Sequence, residues 1–143
     1  MKNAIAMAAV LLAGTFAQAN FTGNWVGTGR VSNNQGLNLA CEKVTLDITQ
    51  TATEMDVNTL FYCGGKTIQG PAGVLTVKGT SVFNAAGAPM GTLTDSNCNL
   101  SLSDASGFLS SAETITGNAM TFKTVRGDSK SGVTTTFEGT ATR

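Results

Sequence analysis

The chain of 143 residues contains no histidine, one tryptophan, one tyrosine and two prolines, and only 13% of its residues are charged. Each shortage excludes something. Without histidine, the commonest general base and metal ligand near neutral pH is missing. Nine Lys and Arg balance nine Asp and Glu, so no basic stripe exists to hold phosphates, and nucleic acid is excluded as a partner. Three dispersed cysteines, Cys41, Cys63 and Cys98, lack the spacing of a zinc centre, and no metal is expected. Seven phenylalanines, one tyrosine and one tryptophan are too few for the aromatic girdles of an outer-membrane barrel. No window carries a sustained helical period either.

What is present begins with an export signal. Lys2 supplies the positive start, Ala4 to Phe16 an apolar stretch, and Ala17-Gln18-Ala19 a small-residue cleavage site. Such a stretch is too short for a bilayer core of ~30 Å, which takes about 20 apolar residues, so no membrane span is expected. Leu11-Leu12-Ala13-Gly14 is similar to a bacterial lipoprotein signal, but Thr15 stands where the lipidated cysteine would be. The expectation is a bacterial protein cleaved after residue 19, periplasmic or extracellular, with one domain over 20–143.

Within that domain short alternating runs recur, each ended by a turn signal. Strands are expected at 21–31, 39–49, 54–62, 73–77, 80–84, 89–95, 98–103, 109–116, 119–126 and 132–142. Gly and Asn between them, as in Gly64-Gly65, Lys78-Gly79 and Gly117-Asn118, supply the positive φ of hairpin turns. This is an all-β antiparallel up-and-down meander. Closing it into a barrel lets the first and last strands pair, which removes two edges that would otherwise invite aggregation.

The first strand carries the sharpest pattern. Phe21, Gly23, Trp25, Gly27 and Gly29 share one parity and therefore one face. Gly23-Asn24-Trp25 resembles the opening Gly-x-Trp of lipocalins and related secreted barrels. That resemblance implies a closed barrel of about 8–10 strands with a cup for a small apolar ligand. It also implies an arginine near the final strand packed over the tryptophan, a place for which Arg143 and Arg126 are candidates. Thr22-Gly23-Asn24-Trp25 is similar to the first strand of avidin-type barrels as well. Those use further tryptophans to hold biotin, and none follows Trp25 here.

Cys41 and Cys63 flank a predicted hairpin. Pairing Ile48 with Met55, Leu46 with Val57 and Val44 with Thr59 aligns one apolar face, and leaves the two cysteines one residue out of step. A single β-bulge at the far end would bring them together as a disulfide, as an oxidising compartment permits. Cys98 shares parity with Leu100 and Leu102, and is either an interior thiol or a link between chains.

No catalytic constellation is visible: no histidine stands beside a nucleophile, and Glu42, Asp47, Glu54 and Asp56 fall on the polar parity of their hairpin. The expectation is therefore a protein that is not an enzyme and holds no cofactor. Glu113 is the one acid of interest. With Leu109, Ser111 and Ile115 it faces the interior and holds a ligand's polar end; on the other parity Ser110, Ala112 and Thr114 face inward and Glu113 faces water. The first functional reading is a cup that binds a small apolar ligand, with Trp25, Phe61, Glu113, Met120, Phe122 and Phe137 as candidate lining, together with Leu46, Val57 and Leu100. The alternative is a filled barrel that grips a protein partner through loops at 32–38, 64–70 and 127–132, as an enzyme inhibitor or surface component. Interior volume discriminates the two.

Overall fold

The computed structural model describes residues 21–143; the expected signal segment and its cleavage site lie outside the described residues. Ten antiparallel strands follow one another in a meander: β1 (Gly23–Asn33), β2 (Asn38–Gln50), β3 (Glu54–Cys63), β4 (Lys66–Lys78), β5 (Ser81–Phe83), β6 (Pro89–Leu93), β7 (Asn97–Asp104), β8 (Gly107–Thr116), β9 (Ala119–Asp128) and β10 (Thr134–Thr142). Each pairs with the next, and β1 pairs with β10, so the ring closes. The expected all-β, up-and-down, lipocalin-like barrel is the fold. Eight residue pairs, from Val26↔Thr142 to Asn33↔Thr135, make the seam.

An up-and-down ring has two ends. The turns after β2, β4, β6 and β8 lie at one end with the start of β1, and this end is closed by packing. Trp25 and Phe21 are completely buried there, and Val82, Leu93 and Met120 are buried as well. The Trp25 indole Nε1 donates to the Phe21 carbonyl at 2.9 Å. The Arg143 guanidinium stacks 4.3 Å from the Trp25 ring centre, and its Nη1 donates to the Thr22 carbonyl at 2.7 Å. A Cβ on Gly23 would come within 3.1 Å of the Arg143 side chain, so glycine at this position leaves the arginine its seat. Of the two candidates for the place over the tryptophan, Arg143 occupies it.

The other half of the interior is unevenly filled. Beneath β10, β1, β2 and β3 sit Phe61, Phe122 and Phe137, with ring centres 6.1 Å apart for Phe61–Phe122 and 5.4 Å for Phe61–Phe137. Phe61 fits because Gly29 and Gly70 have no side chain: a Cβ there would stand 3.1 Å and 2.7 Å from its ring. The Cys41–Cys63 disulfide lies over the same side, with Cα atoms 4.0 Å apart.

Two expectations about the strands are corrected. The β2–β3 hairpin pairs Ile48 with Val57, Leu46 with Thr59 and Val44 with Phe61, a register two residues away from the expected one. The Thr51 hydroxyl accepts from the Glu54 amide at 3.1 Å, and this tight turn centres the loop one residue later. A slip of two leaves every side chain on its original face, because the strand period is two. The bulge falls at Glu42–Lys43 of β2, opposite β1, where Gly27 pairs with Val44 and Gly29 with Cys41. It turns Cys41 back to the inside, while Glu42 and Lys43 are both exposed.

The second correction is β4, which begins at Lys66 rather than at 73. Gly70 and Pro71, which precede the expected start of the strand, sit in a bulge opposite Thr59, between the pairs Asn58↔Ala72 and Leu60↔Gln69. The Gln69 side chain donates to the Thr59 carbonyl at 2.9 Å and so satisfies backbone that the bulge unpairs. The 64–70 segment is therefore mostly strand and not the loop expected of a gripping module.

On its far side β4 pairs with β5 only through Thr76–Lys78. β6 in turn meets β7 only through Cys98–Leu100. Above these short strands, the upper parts of β4 and β7 stand apart with nothing paired between them among the described residues. This gap in the wall positions the site.

Candidate functional site

A cavity of about 430 Å³ opens at the end away from Trp25, beside the gap. Pro71 and Ala72 of β4 bound it on one side, and Leu102 and Asp104 of β7 on the other. Phe108, Leu109, Thr124, Arg126, Asp128 and Phe137 complete most of the wall. Beneath it lies a second cavity of about 100 Å³, which shares Pro71, Ala72, Leu109 and Thr124 with the first. A third of about 30 Å³ shares Val57, Pro71, Glu113 and Thr124 with the second. The shared walls make the three cavities adjacent, and together they are called the recess, widest at the mouth and narrowest beside Glu113.

Glu113 stands at the narrow inner end. The β8 alternation settles its direction: Ser111 and Ile115 are buried, and Ser110, Ala112 and Thr114 are exposed, so Glu113 points into the barrel. Its Oε1 accepts from the Ser111 Oγ at 2.7 Å, and that hydroxyl lies 2.7 Å from the Thr124 Oγ1 on β9. Its Oε2 is shielded from solvent and has no hydrogen-bond partner among the described residues. Burial pushes the carboxyl up from its ordinary 4.5 to about 7, against the opposing pull of the Ser111 hydroxyl and the neighbouring Cys98 thiol. The Cys98 thiol is itself driven far above its usual range, first by burial and then by the Glu113 charge. Cys98 is free and buried, hence an interior thiol with little nucleophilic thiolate.

The candidate lining residues separate into two groups. Glu113, Phe122 and Phe137 reach the recess, as do Leu46, Val57 and Leu100. Trp25, Phe61 and Met120 line none of it. They are at most 1% exposed and pack as solid core, because the closed end and the β1–β3 side leave no space around them. Arg126 lies at the mouth rather than over Trp25. Glu42, Asp47, Glu54 and Asp56 are all exposed. Glu42 accepts from the Gly64 amide at 3.1 Å, and the backbone donors around it hold its carboxyl below the usual range. Among the described residues no group of acids and cysteines is arranged to hold a metal ion.

The sequence reading missed Thr124, Pro71 and Ala72. Thr124 meets Ser111 only through the β8–β9 register, and Pro71 and Ala72 lie between the expected 64–70 loop and the strand expected from 73. Ser111, two residues from Glu113 on the same parity, was the visible half of the polar pair.

No protein-family model matches the chain, and no curated protein matches it in sequence. Solved structures do. An S-type phycobiliprotein lyase from Guillardia theta superposes with a TM-score of 0.64 over 87% of this chain and 88% of its own, at 13% identity. A protein of unknown function of the DUF3598 family, from Nostoc punctiforme, gives the same TM-score over 87% of this chain, at 19% identity. This chain spans 47% of that protein's length. What they share is the barrel.

That likeness corrects one expectation. The absence of histidine and of a nucleophile–base pair led to a protein that is not an enzyme, yet a barrel of this fold serves a lyase. The fold by itself therefore does not separate a catalyst from a binding protein.

Proposed function

We propose that this protein is an exported barrel that takes a small, largely apolar molecule into its recess through the mouth beside the β4–β7 gap. The observation that carries this reading is the interior volume. A recess of about 430 Å³ at the mouth, continued inward, is in the range of small-molecule sites. Its mouth is half polar, with Asp104, Arg126 and Asp128, whereas the inner walls are mainly apolar, with Glu113, Ser111 and Thr124 as convergent polar groups. Phe122, Phe137, Leu109 and Val57 then contact the apolar body of the ligand. The filled-barrel alternative needed an interior without a cup, and this volume tells against it. The Guillardia theta lyase is a precedent for function on the same fold, no more.

Export completes the proposal: cleavage after residue 19 leaves a domain over 20–143 in an oxidising compartment, where the Cys41–Cys63 disulfide persists. The test is native mass spectrometry of the mature protein purified from its own compartment. The expected result is a discrete non-covalent adduct of small-molecule mass, lost on activation. A bare monomer overturns the reading, and a protein-sized adduct returns the interaction module.

A further inference from the structure

Resting on that reading of the recess, we propose that its ligand is cationic at the buried end: an apolar body that terminates in a protonated amine, held as the counter-ion of the Glu113 carboxylate. The argument starts from counting protons. A hydroxyl has one proton to donate. Ser111 gives its own to Glu113 Oε1, so Thr124 is the donor in the 2.7 Å contact between the two hydroxyls. Both hydroxyl protons are thereby used, and Oε2 has none. The Cys98 thiol, the other neighbour from β7, is a weak donor. The relay Thr124→Ser111→Glu113 thus holds an acceptor and leaves half of it unmet. The torsion of a carboxylate about its last bond is broad, so a small turn presents Oε2 to whatever fills the inner recess.

Charge points the same way. None of the side chains that line the two inner cavities is cationic. At the mouth Asp104 and Asp128 outnumber Arg126. Asp104 is held below the usual carboxylate range by the Ser106 hydroxyl and amide, and so stays charged. A buried carboxylate without a counter-charge is costly, and a ligand that brings one is bound by the relief of that cost. An anionic head would meet acid at the mouth and again at the end. Among the described residues, Glu113 is the only titrating group in the lining of the inner cavities, and Cys98 the only other one that faces it. Because burial raises the free Glu113 carboxyl to about 7, amine binding should strengthen as pH rises through that value.

The experiment compares three probes of one skeleton, octylamine, 1-octanol and octanoate, by titration calorimetry on the intact mature protein. At about pH 8 the amine should bind about tenfold to a hundredfold more tightly than either of the others, the range of a charge-assisted bond to a buried group. That preference should shrink at about pH 5.5, where free Glu113 holds its proton. It should vanish in Glu113→Gln; if that variant fails to fold by circular dichroism, the pH profile of the unaltered protein decides. Octanol or octanoate binding as tightly as the amine overturns the cationic head and leaves the apolar recess standing. Binding by none of the three also overturns the proposal. If native mass spectrometry then shows an adduct, only the head group was misassigned; if it shows none, the recess reading falls with it.

Discussion

At the scale of single residues, Glu113 sets the pH behaviour of the fold. Its carboxyl titrates near 7 in the folded chain against an ordinary 4.5, so between those values the native state keeps a proton that the unfolded state has lost. Stability from this group is therefore complete below about 4.5 and is lost as pH climbs through about 7. The ligand-free Glu113→Gln variant should be more stable than the unaltered protein at about pH 8, by at most roughly 3 kcal/mol, and lose that advantage near pH 4. Urea unfolding at the two pH values reads this directly; an equal difference at both would remove the buried charge from the account. Glu113 was legible in the sequence as an acid on an apolar parity, but parity alone left its direction open. The packing of Ser111 and Ile115 on the inner face decided it.

At the scale of elements, the informative unit is the β2–β3 hairpin. Cys41 and Cys63 are 22 residues apart, and their link crosses the bulge at Glu42–Lys43. Replacing both with serine should cost about 3 kcal/mol, chiefly by freeing the unfolded chain. Thermal unfolding measures this, and alkylation of the denatured but unreduced protein should label Cys98 alone. Labelling of three thiols would contradict the link. The hairpin, its inward face and the need for one bulge were all readable from alternation, whereas the register was not. A slip of two preserves the face, so hydrophobic patterning cannot distinguish the two registers, and the Thr51 turn chose between them. β4 shows the opposite failure. Gly70 and Pro71 are breakers by local rule, yet the strand runs through them because Gly70 makes room for Phe61 and Gln69 repairs the bulge.

For the whole molecule, closure is the governing event. The β1–β10 seam joins the two ends of the described chain, and Arg143 bonds back to Thr22 across it. A chain that stops before Thr134 loses Phe137 and Ala141 from the core and leaves β1 and β9 as bare edges. Such a chain should fail to give a compact monomer, as size-exclusion chromatography with circular dichroism would show. A monomeric, β-rich product would mean that the open sheet is stable without its seam.

Sequence alone specifies the class of structure. Period-two alternation, Gly and Asn at the turns, and a Gly-x-Trp first strand specify an all-β meander, and the two end strands make closure its best solution. Local chemistry suffices there because each strand's inward face and each turn's φ depend on near neighbours. The recess was decided by tertiary structure. It exists because β5 and β6 are short, leaving β4 and β7 apart, and because three phenylalanine rings fill one side of the barrel and not the other. Whether an inward side chain fills space or lines it depends on what stands across the barrel, and no periodicity along one strand records that.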